Sequence, residues 1–229
     1  MIDNMNINKK IDLKKQKYNT IVNGYLYSKL LGIDILQQKS TAYFMYDYIK
    51  ENFQPDPLSH YNGQTTMTTQ LYAQYNYLLY PFPGIVSLYK GIRQAFYEVN
   101  PEANKNDWMI QCWLNFYKAG EFIDWHKHWL DEYEVWHGFY CVDVEPNSAT
   151  LYKIPPNMED KDIITVPSQN DLLVLGKSAG DYHRSTEWPY NFPRITIAFD
   201  IIKPEKLLDG KMYLAKNHWV PLEIGRAHV

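Results

Sequence analysis

The feature that most constrains this chain is a change of hydrophobic period near residue 105. Before it, apolar residues recur every three or four positions, the spacing of one helix face. Phe44, Met45, Tyr48, Ile49 and Phe53 form one such set, and Ile85, Leu88, Tyr89, Ile92, Ala95, Phe96 and Val99 form a cleaner one. Pro83 stands where a first helical turn tolerates proline. Asn100-Pro101 ends the second pattern, because proline disfavours helical geometry in the residue before it. After residue 105 the apolar runs are short and bounded by turns. The segments 108–117, 136–144, 163–166, 171–176 and 194–202 read as strands. Gly120, Pro146-Asn147, Pro155-Pro156 and Gly180 punctuate them. Several short strands with such turn signals predict a sandwich or barrel. The expectation is therefore helices first, then a mainly β core.

Length and composition agree with one large domain. The chain has 229 residues, 45% of them apolar and 21% charged, enough to bury a full core. The boundaries read as a helical support region over 1–104, the β core over 105–203, a C-terminal extension over 204–224, and a terminal GRAHV (225–229) that reads like an expression scar. No internal repeat or low-complexity tract interrupts this order. A formal net charge of −3 gives no basic field that would point to nucleic acid. Lys9, Lys10, Lys14, Lys15 and Lys17 cluster near the start and are expected to be a solvated segment. No run of 18 apolar residues predicts a membrane span, and the first 20 residues lack a signal-like apolar stretch, so a cytoplasmic protein is expected. Two cysteines, Cys112 and Cys141, make no disulfide framework and are expected as buried apolar fillers.

Histidine placement carries the chemistry. His126 and His128 lie two apart, so in an extended segment both imidazoles leave one face. Two neutral imidazoles on one face suit Fe, Zn, Cu or Ni. A later apolar strand, NDLLVLG (170–176), is followed by a turn and His183. Eleven positions on, Arg194 opens the apolar run RITIAFD. A guanidinium there calls for an anion inside, or else snorkels to the surface. Thr196 shares its strand face, and the pair forms a plausible carboxylate clamp.

Tyr117, Gly120, His126, position 128, GFYCVDV (138–144), NDLLVLG, His183 and Arg194-Ile-Thr196 occur in an order that resembles the core of the Fe(II)/2-oxoglutarate-dependent oxygenases. The likeness is to the prolyl-hydroxylase-like branch, including small versions found in phage and marine bacteria. It spans residues 108–202. The resemblance implies a double-stranded β-helix, or jelly roll, braced by N-terminal helices. It implies Fe(II) on His126 and His183, 2-oxoglutarate as cosubstrate and O2 as oxidant. Arg194 would pair with the distal carboxylate of 2-oxoglutarate and Thr196 would assist it. Tyr117 would line the cosubstrate pocket. By strand alternation Asn115 and Trp113 share Tyr117's face, and Tyr140 and Tyr152 are weaker candidates for the same wall.

One departure matters. The family's carboxylate ligand falls at position 128, and this chain has His128. Either His128 ligates, giving a site of His126, His128 and His183, or Asp131, Glu132 or Asp124 swings in, or the site is impaired or takes another metal. The implied reaction is oxidative decarboxylation of 2-oxoglutarate coupled to hydroxylation of a C–H bond. Trp113, Trp125, Trp129 and Trp136 lie near the ligands in sequence and read as packing or shielding. The substrate stays open among a protein or peptide side chain, a small metabolite and a nucleobase. The Tyr-rich segment 71–82 reads mainly as support for the β core, and His137 as exposed or as a neighbour of the ligands. Two other classes fit the residues: a cupin-like three-histidine dioxygenase without 2-oxoglutarate, and a non-catalytic jelly-roll binding module.

Overall fold

The structure is a computed structural model that describes residues 9–10, 20–22, 26–54, 65–105, 107–128, 133–153, 163–177, 182–207 and 218–222. Its strands are β1 (Lys9–Lys10), β2 (Thr20–Val22), β3 (Leu26–Leu30), β4 (Met109–Tyr117), β5 (Trp136–Asp143), β6 (Ala149–Lys153), β7 (Ile164–Pro167), β8 (Leu172–Lys177), β9 (Tyr182–Ser185), β10 (Arg194–Ile202) and β11 (Val220–Pro221). Its α-helices are α1 (Ile35–Asn52), α2 (Met67–Gln70), α3 (Ile85–Val99) and α4 (Pro204–Leu207). The strands form two sheets. The larger runs β11-β4-β10-β5-β8-β3-β2 and the smaller runs β1-β7-β6-β9. This is the expected mainly β jelly-roll architecture with helices bracing one sheet.

Strand β10 sits at the middle of the larger sheet, antiparallel to β4 on one side and β5 on the other. All nine of its residues are buried. Its odd positions, Ile195, Ile197, Phe199 and Ile201, join Ile110, Cys112 and Leu114 of β4 and Leu173 and Leu175 of β8 in the main apolar cluster. Ala42, Met45 and Ile49 of α1 and Leu88, Ile92, Ala95 and Phe96 of α3 close that cluster. Arg194, Thr196, Ala198 and Asp200 face the other way and line the cavity described below. Cys112 and Cys141 are free and buried.

Both long helices have readable causes. Asp34 caps α1, its carboxylate accepting from the N–H groups of Leu36 (3.0 Å) and Gln37 (3.1 Å). The buried stripe of α1 is Gln38, Thr41, Ala42, Met45 and Ile49. It starts earlier than the expected set, and Phe44 is 62% exposed, stacked on Phe82. α3 buries Ile85, Leu88, Tyr89, Ile92, Ala95 and Phe96. Pro83 lies ahead of α3 rather than in its first turn, because Gly84, at φ 88°, is the N-cap.

The support region is not wholly helical, a correction to the sequence reading. β3 pairs with β8 from Leu26↔Gly176 to Leu30↔Leu172 and extends the larger sheet. Its sequence, LYSKL, has no clear period, and its conformation comes from that pairing. The Tyr-rich segment 71–82 holds two short 3-10 turns, Tyr72–Gln74 and Tyr77–Leu79, and buries Tyr75 and Tyr77 beside β4. Of the Lys cluster, Lys9 and Lys10 form β1 beside β7, and Lys14, Lys15 and Lys17 lie outside the described residues. So do residues 225–229. No helix among the described residues is long and apolar enough to cross a membrane.

Gly138 of β5 lies opposite Phe199 of the neighbouring strand β10. A Cβ there would overlap the Phe199 ring and the Val174 carbonyl oxygen. Gly138→Ala should therefore destabilise the fold by about 1–3 kcal/mol. Urea unfolding checks this, and an unchanged midpoint would show that Phe199 has room to move.

Candidate metal and anion site

Between the sheets lies a cavity of about 140 Å³. The larger sheet contributes Trp113, Asn115 and Tyr117 from β4, Arg194, Thr196, Ala198 and Asp200 from β10, and His137 and Phe139 from β5. The alternation is uniform. Arg194 pairs with Tyr117, Thr196 with Asn115 and Ala198 with Trp113 across β10 and β4. Asp200 pairs with His137 and Ala198 with Phe139 across β10 and β5. Cross-strand partners share a face, so this register alone converges these side chains.

The smaller sheet supplies the opposite wall. His183 lies on β9, and the backbones of His126 and His183 exchange two hydrogen bonds, 3.0 and 2.9 Å. That isolated bridge seats the His-x-His segment beside β9. The donor atoms of His126, His128 and His183 lie within 4.8 Å of one another. Asp124 stays outside the cluster. Its carboxylate accepts from the Trp125 N–H at 2.7 Å, while its backbone oxygen lies 2.7 Å from the Nδ1 of His126. The carbonyl can only accept, so His126 carries its proton on Nδ1 and leaves the Nε2 lone pair for a metal. The Nδ1 of His183 is buried and makes no hydrogen bond among the described residues. Asp131 and Glu132 lie outside the described residues.

Two residues that sequence reasoning underrated complete the cluster. His137 and Asp200 are 7% and 2% exposed. Nδ1 of His137 is 2.8 Å from Oδ1 of Asp200, and Nδ1 of His128 is 3.0 Å from the same oxygen. His128, His137 and Asp200 form a second group of potential donor atoms within 4.8 Å. The His128 ring lies near-parallel to Trp113 (5.6 Å) and His137 (3.6 Å), whose own centroids are 6.0 Å apart. A signal for Asp200 was present: it is an ionisable residue inside an apolar run, six positions from Arg194 and so on the same face.

Burial sets the protonation states. The imidazole of His126 is pushed down to about 3, by burial first and then by His128. His137 is pushed down to about 4 for the same reasons in the same order. His183 falls well below its ordinary value, through burial and then His126. Burial alone would raise Asp200, but His128 and His137 more than offset it and hold its carboxyl below the usual range. Neutral imidazoles are ready ligands, since no proton must leave before a metal binds.

The far end of the cavity is built for an anion. Arg194 is 2% exposed and pairs with no carboxylate among the described residues. Among the described residues its Nε makes no hydrogen bond, and its guanidinium reaches Ser168 Oγ at 3.5 Å and the Tyr117 ring at 5.4 Å. Beside it runs a relay. Thr69 Oγ1 donates to Asn115 Oδ1 (2.6 Å), and Asn115 Nδ2 donates to Thr196 Oγ1 (3.2 Å). Thr196 thus accepts from Asn115 and keeps its own hydroxyl hydrogen to donate. A buried guanidinium without a counter-ion is costly, and an anion entering the cavity would remove that cost.

The structure therefore brings together His126, His128, His183, Arg194, Thr196, Tyr117, Asn115 and Trp113. It does not bring Tyr140 to the cavity. Tyr140 shares Gly138's face of β5, toward the helices, and its hydroxyl donates to Asp171 at 2.9 Å. Tyr152 is buried with its ring 5.4 Å from His183 but does not line the cavity. Thr69 and Ser168 had no sequence signal, since their approach depends on α2 and on the segment after β7.

No protein-family model matches the sequence, and no curated protein matches it. Solved structures do. The chain is similar to AviO1 from Streptomyces viridochromogenes at 14% identity, with a TM-score of 0.56, over 79% of this chain and 90% of that one. It is similar to a Pseudomonas putida prolyl-4-hydroxylase at 11% identity and TM-score 0.51, over 78% and 87% of the two chains. A Trichoplax adhaerens prolyl hydroxylase, solved with a hypoxia inducible factor peptide fragment, matches at 11% identity and TM-score 0.52, over 80% and 86%. At these identities the likeness is one of fold.

The neutral, buried imidazoles carry a pH signature. In the unfolded chain each titrates near 6.5, whereas the fold keeps His137 and His183 neutral well below that. Between those values the unfolded state binds more protons, so stability falls as pH drops. The metal-free protein should lose on the order of 1 kcal/mol per pH unit per buried histidine from pH 6.5 toward 4.5. A urea midpoint flat across that range would show that the imidazoles protonate in place.

Proposed function

We propose that the chain is an Fe(II)/2-oxoglutarate-dependent oxygenase that hydroxylates a C–H bond of a small-molecule or peptide substrate. The observation that carries this reading is Arg194. It is a buried guanidinium without a counter-ion among the described residues, opening into the same cavity as a three-imidazole cluster. A metal ligand set alone fits many metalloenzymes. A metal ligand set with an anion socket in the same cavity fits a cosubstrate that chelates a metal at one end and carries a carboxylate at the other.

The donor chemistry fits the group. Three imidazoles suit iron(II). His126, His128 and His183 would hold the metal. Iron(II) bound there with 2-oxoglutarate supplies O2 activation, coupling decarboxylation of the cosubstrate to oxidation of a C–H bond.

The chain's own residues do the rest. Arg194 would take the distal carboxylate in a charge-assisted pair, with donors from Thr196 and Ser168 beside it. Thr69 and Asn115 orient the Thr196 hydroxyl so that its hydrogen points at the ligand rather than into the wall. Burial keeps the Tyr117 phenol protonated, so it can donate to an anionic ligand. Trp113, Phe139 and Ala198 line the stretch between the metal and anion ends, where an apolar wall excludes water from the reacting atoms. A Trichoplax relative of the same fold binds a peptide, which supports a peptide among the substrate candidates.

Anaerobic addition of Fe(II) and then 2-oxoglutarate should give a weak visible charge-transfer band that decays with succinate release when oxygen enters. Metal binding without any band would move the reading to a three-histidine enzyme that does not use 2-oxoglutarate. No metal binding would leave a jelly-roll binding module. His183→Ala should abolish iron retention, measured as metal content of the purified variant.

Arg194→Met should split two readouts. It should weaken 2-oxoglutarate binding by about 30-fold or more, the effect of about 2 kcal/mol lost with one partner of a buried charge pair. It should leave the melting temperature of the ligand-free protein unchanged or raised, because a buried unpaired charge is gone. A lowered melting temperature with intact 2-oxoglutarate binding would make Arg194 structural.

A further inference from the structure

We propose that Asp200 is a positioning residue for the metal centre: its carboxylate fixes His128 through Nδ1 and supplies, from behind that imidazole, the negative charge that a carboxylate ligand would otherwise bring. This inference rests on the metal-centre reading above.

The argument begins with cost. Asp200 sits inside the apolar run ITIAFDII, at 2% exposure, where an ionised carboxylate needs specific partners. Those partners include His128 and His137. Oδ1 is 2.8 Å from His137 Nδ1 and 3.0 Å from His128 Nδ1, and Oδ2 is 3.1 Å from His128 Nδ1. An ionised carboxylate only accepts, so both imidazoles must carry hydrogen on Nδ1. For His128 that fixes the tautomer and leaves Nε2 as the lone pair for a metal. The same logic runs through the Asp124 carbonyl for His126. A carboxylate behind a ligating imidazole raises its basicity and fixes its plane.

Ring packing helps to hold His128 in that pose. Trp113 stacks on it at 20° and His137 at 18°. Asp200 also anchors His137, so one buried carboxylate organises two rings of the stack. The charge argument is separate. Three imidazoles leave a divalent metal with both positive charges uncompensated by ligands. In a dry cavity, a carboxylate one imidazole away offsets part of that charge. Position 128 and Asp200 therefore act as a unit, ring in front and charge behind.

The unit makes a prediction with a sign. Co(II) binding by calorimetry, its visible ligand-field spectrum and the metal-free melting temperature would be measured for the wild type, Asp200→Asn, His128→Asp and the double variant. Asp200→Asn should weaken Co(II) about 10–100-fold and shift the spectrum while the metal-free protein stays folded. In His128→Asp a new carboxylate faces the Asp200 carboxylate at close range. There, adding Asp200→Asn should strengthen Co(II) binding, because it removes a like charge instead of a needed one. Wild-type affinity in Asp200→Asn overturns the proposal, as does a loss of equal size in both backgrounds, which would make Asp200 structural. Two Co(II) per wild-type chain, falling to one in Asp200→Asn, also overturns it, by making Asp200 a ligand of its own cation with His128 and His137. Should Asp200→Asn fail to fold alone, the double variant against His128→Asp carries the same sign test, and no gain there overturns the proposal. A wild type that binds no Co(II) sinks the metal-centre reading instead.

Discussion

The site depends on the register of β10 between β4 and β5. Every residue of β10 is buried, so its two faces serve two different interiors. Ile195, Ile197, Phe199 and Ile201 face the helices; Arg194, Thr196, Ala198 and Asp200 face the cavity. A slip of one residue would exchange the faces, placing a guanidinium and a carboxylate against α1 and α3. No apolar gain could compensate for that, so the same pattern that builds the core also enforces the site. The bulge between Ile195 and Thr196 on the β5 side is local: the β4 pairing runs without a break from Arg194 to Ile202.

Along β10 the two buried charges are treated in opposite ways. Asp200 is hydrogen-bonded by two imidazoles, and its carboxyl is held low despite full burial. Arg194 meets a distant hydroxyl and the face of a phenol ring. A satisfied buried charge organises its neighbours, whereas an unsatisfied one is a demand on a ligand. The contrast assigns different tasks to the two charges: Asp200 orients imidazoles of the chain itself, and Arg194 is left for an anion from solution.

Much of this was legible in the sequence because period and parity are local properties. The strands β4, β5, β7, β8 and β10 and the helix α3 announced themselves by spacing. The His126/His128 pair and the Arg194/Thr196 pair each rest on period two, which survives folding unchanged. What was not legible depended on tertiary partners. β3 is a strand because β8 pairs with it, and β6 and β9 are short segments whose own residues carry little pattern. Thr69 reaches Asn115 only because α2 packs on β4. Tyr140 is different, since parity could have excluded it: it is three positions from His137 and so on the opposite face of β5. Asp200 was overlooked because its partners, His128 and His137, come to it from separate segments that only the fold brings beside β10.

The cavity is also where this fold gives up stability. Stacked neutral imidazoles, a guanidinium without a carboxylate and a buried His183 nitrogen without a partner, both among the described residues, are each less favourable than apolar packing would be. They persist because a continuous core of two helices and a seven-stranded sheet holds the walls in place regardless. A ligand that binds only the folded state adds stability in proportion to the logarithm of its concentration over its dissociation constant. A metal at the imidazoles and a carboxylate at Arg194 would satisfy the groups that the ligand-free chain leaves unsatisfied. The strain is therefore informative: Arg194 marks where negative charge is missing, and the His126, His128 and His183 cluster marks where a cation fits.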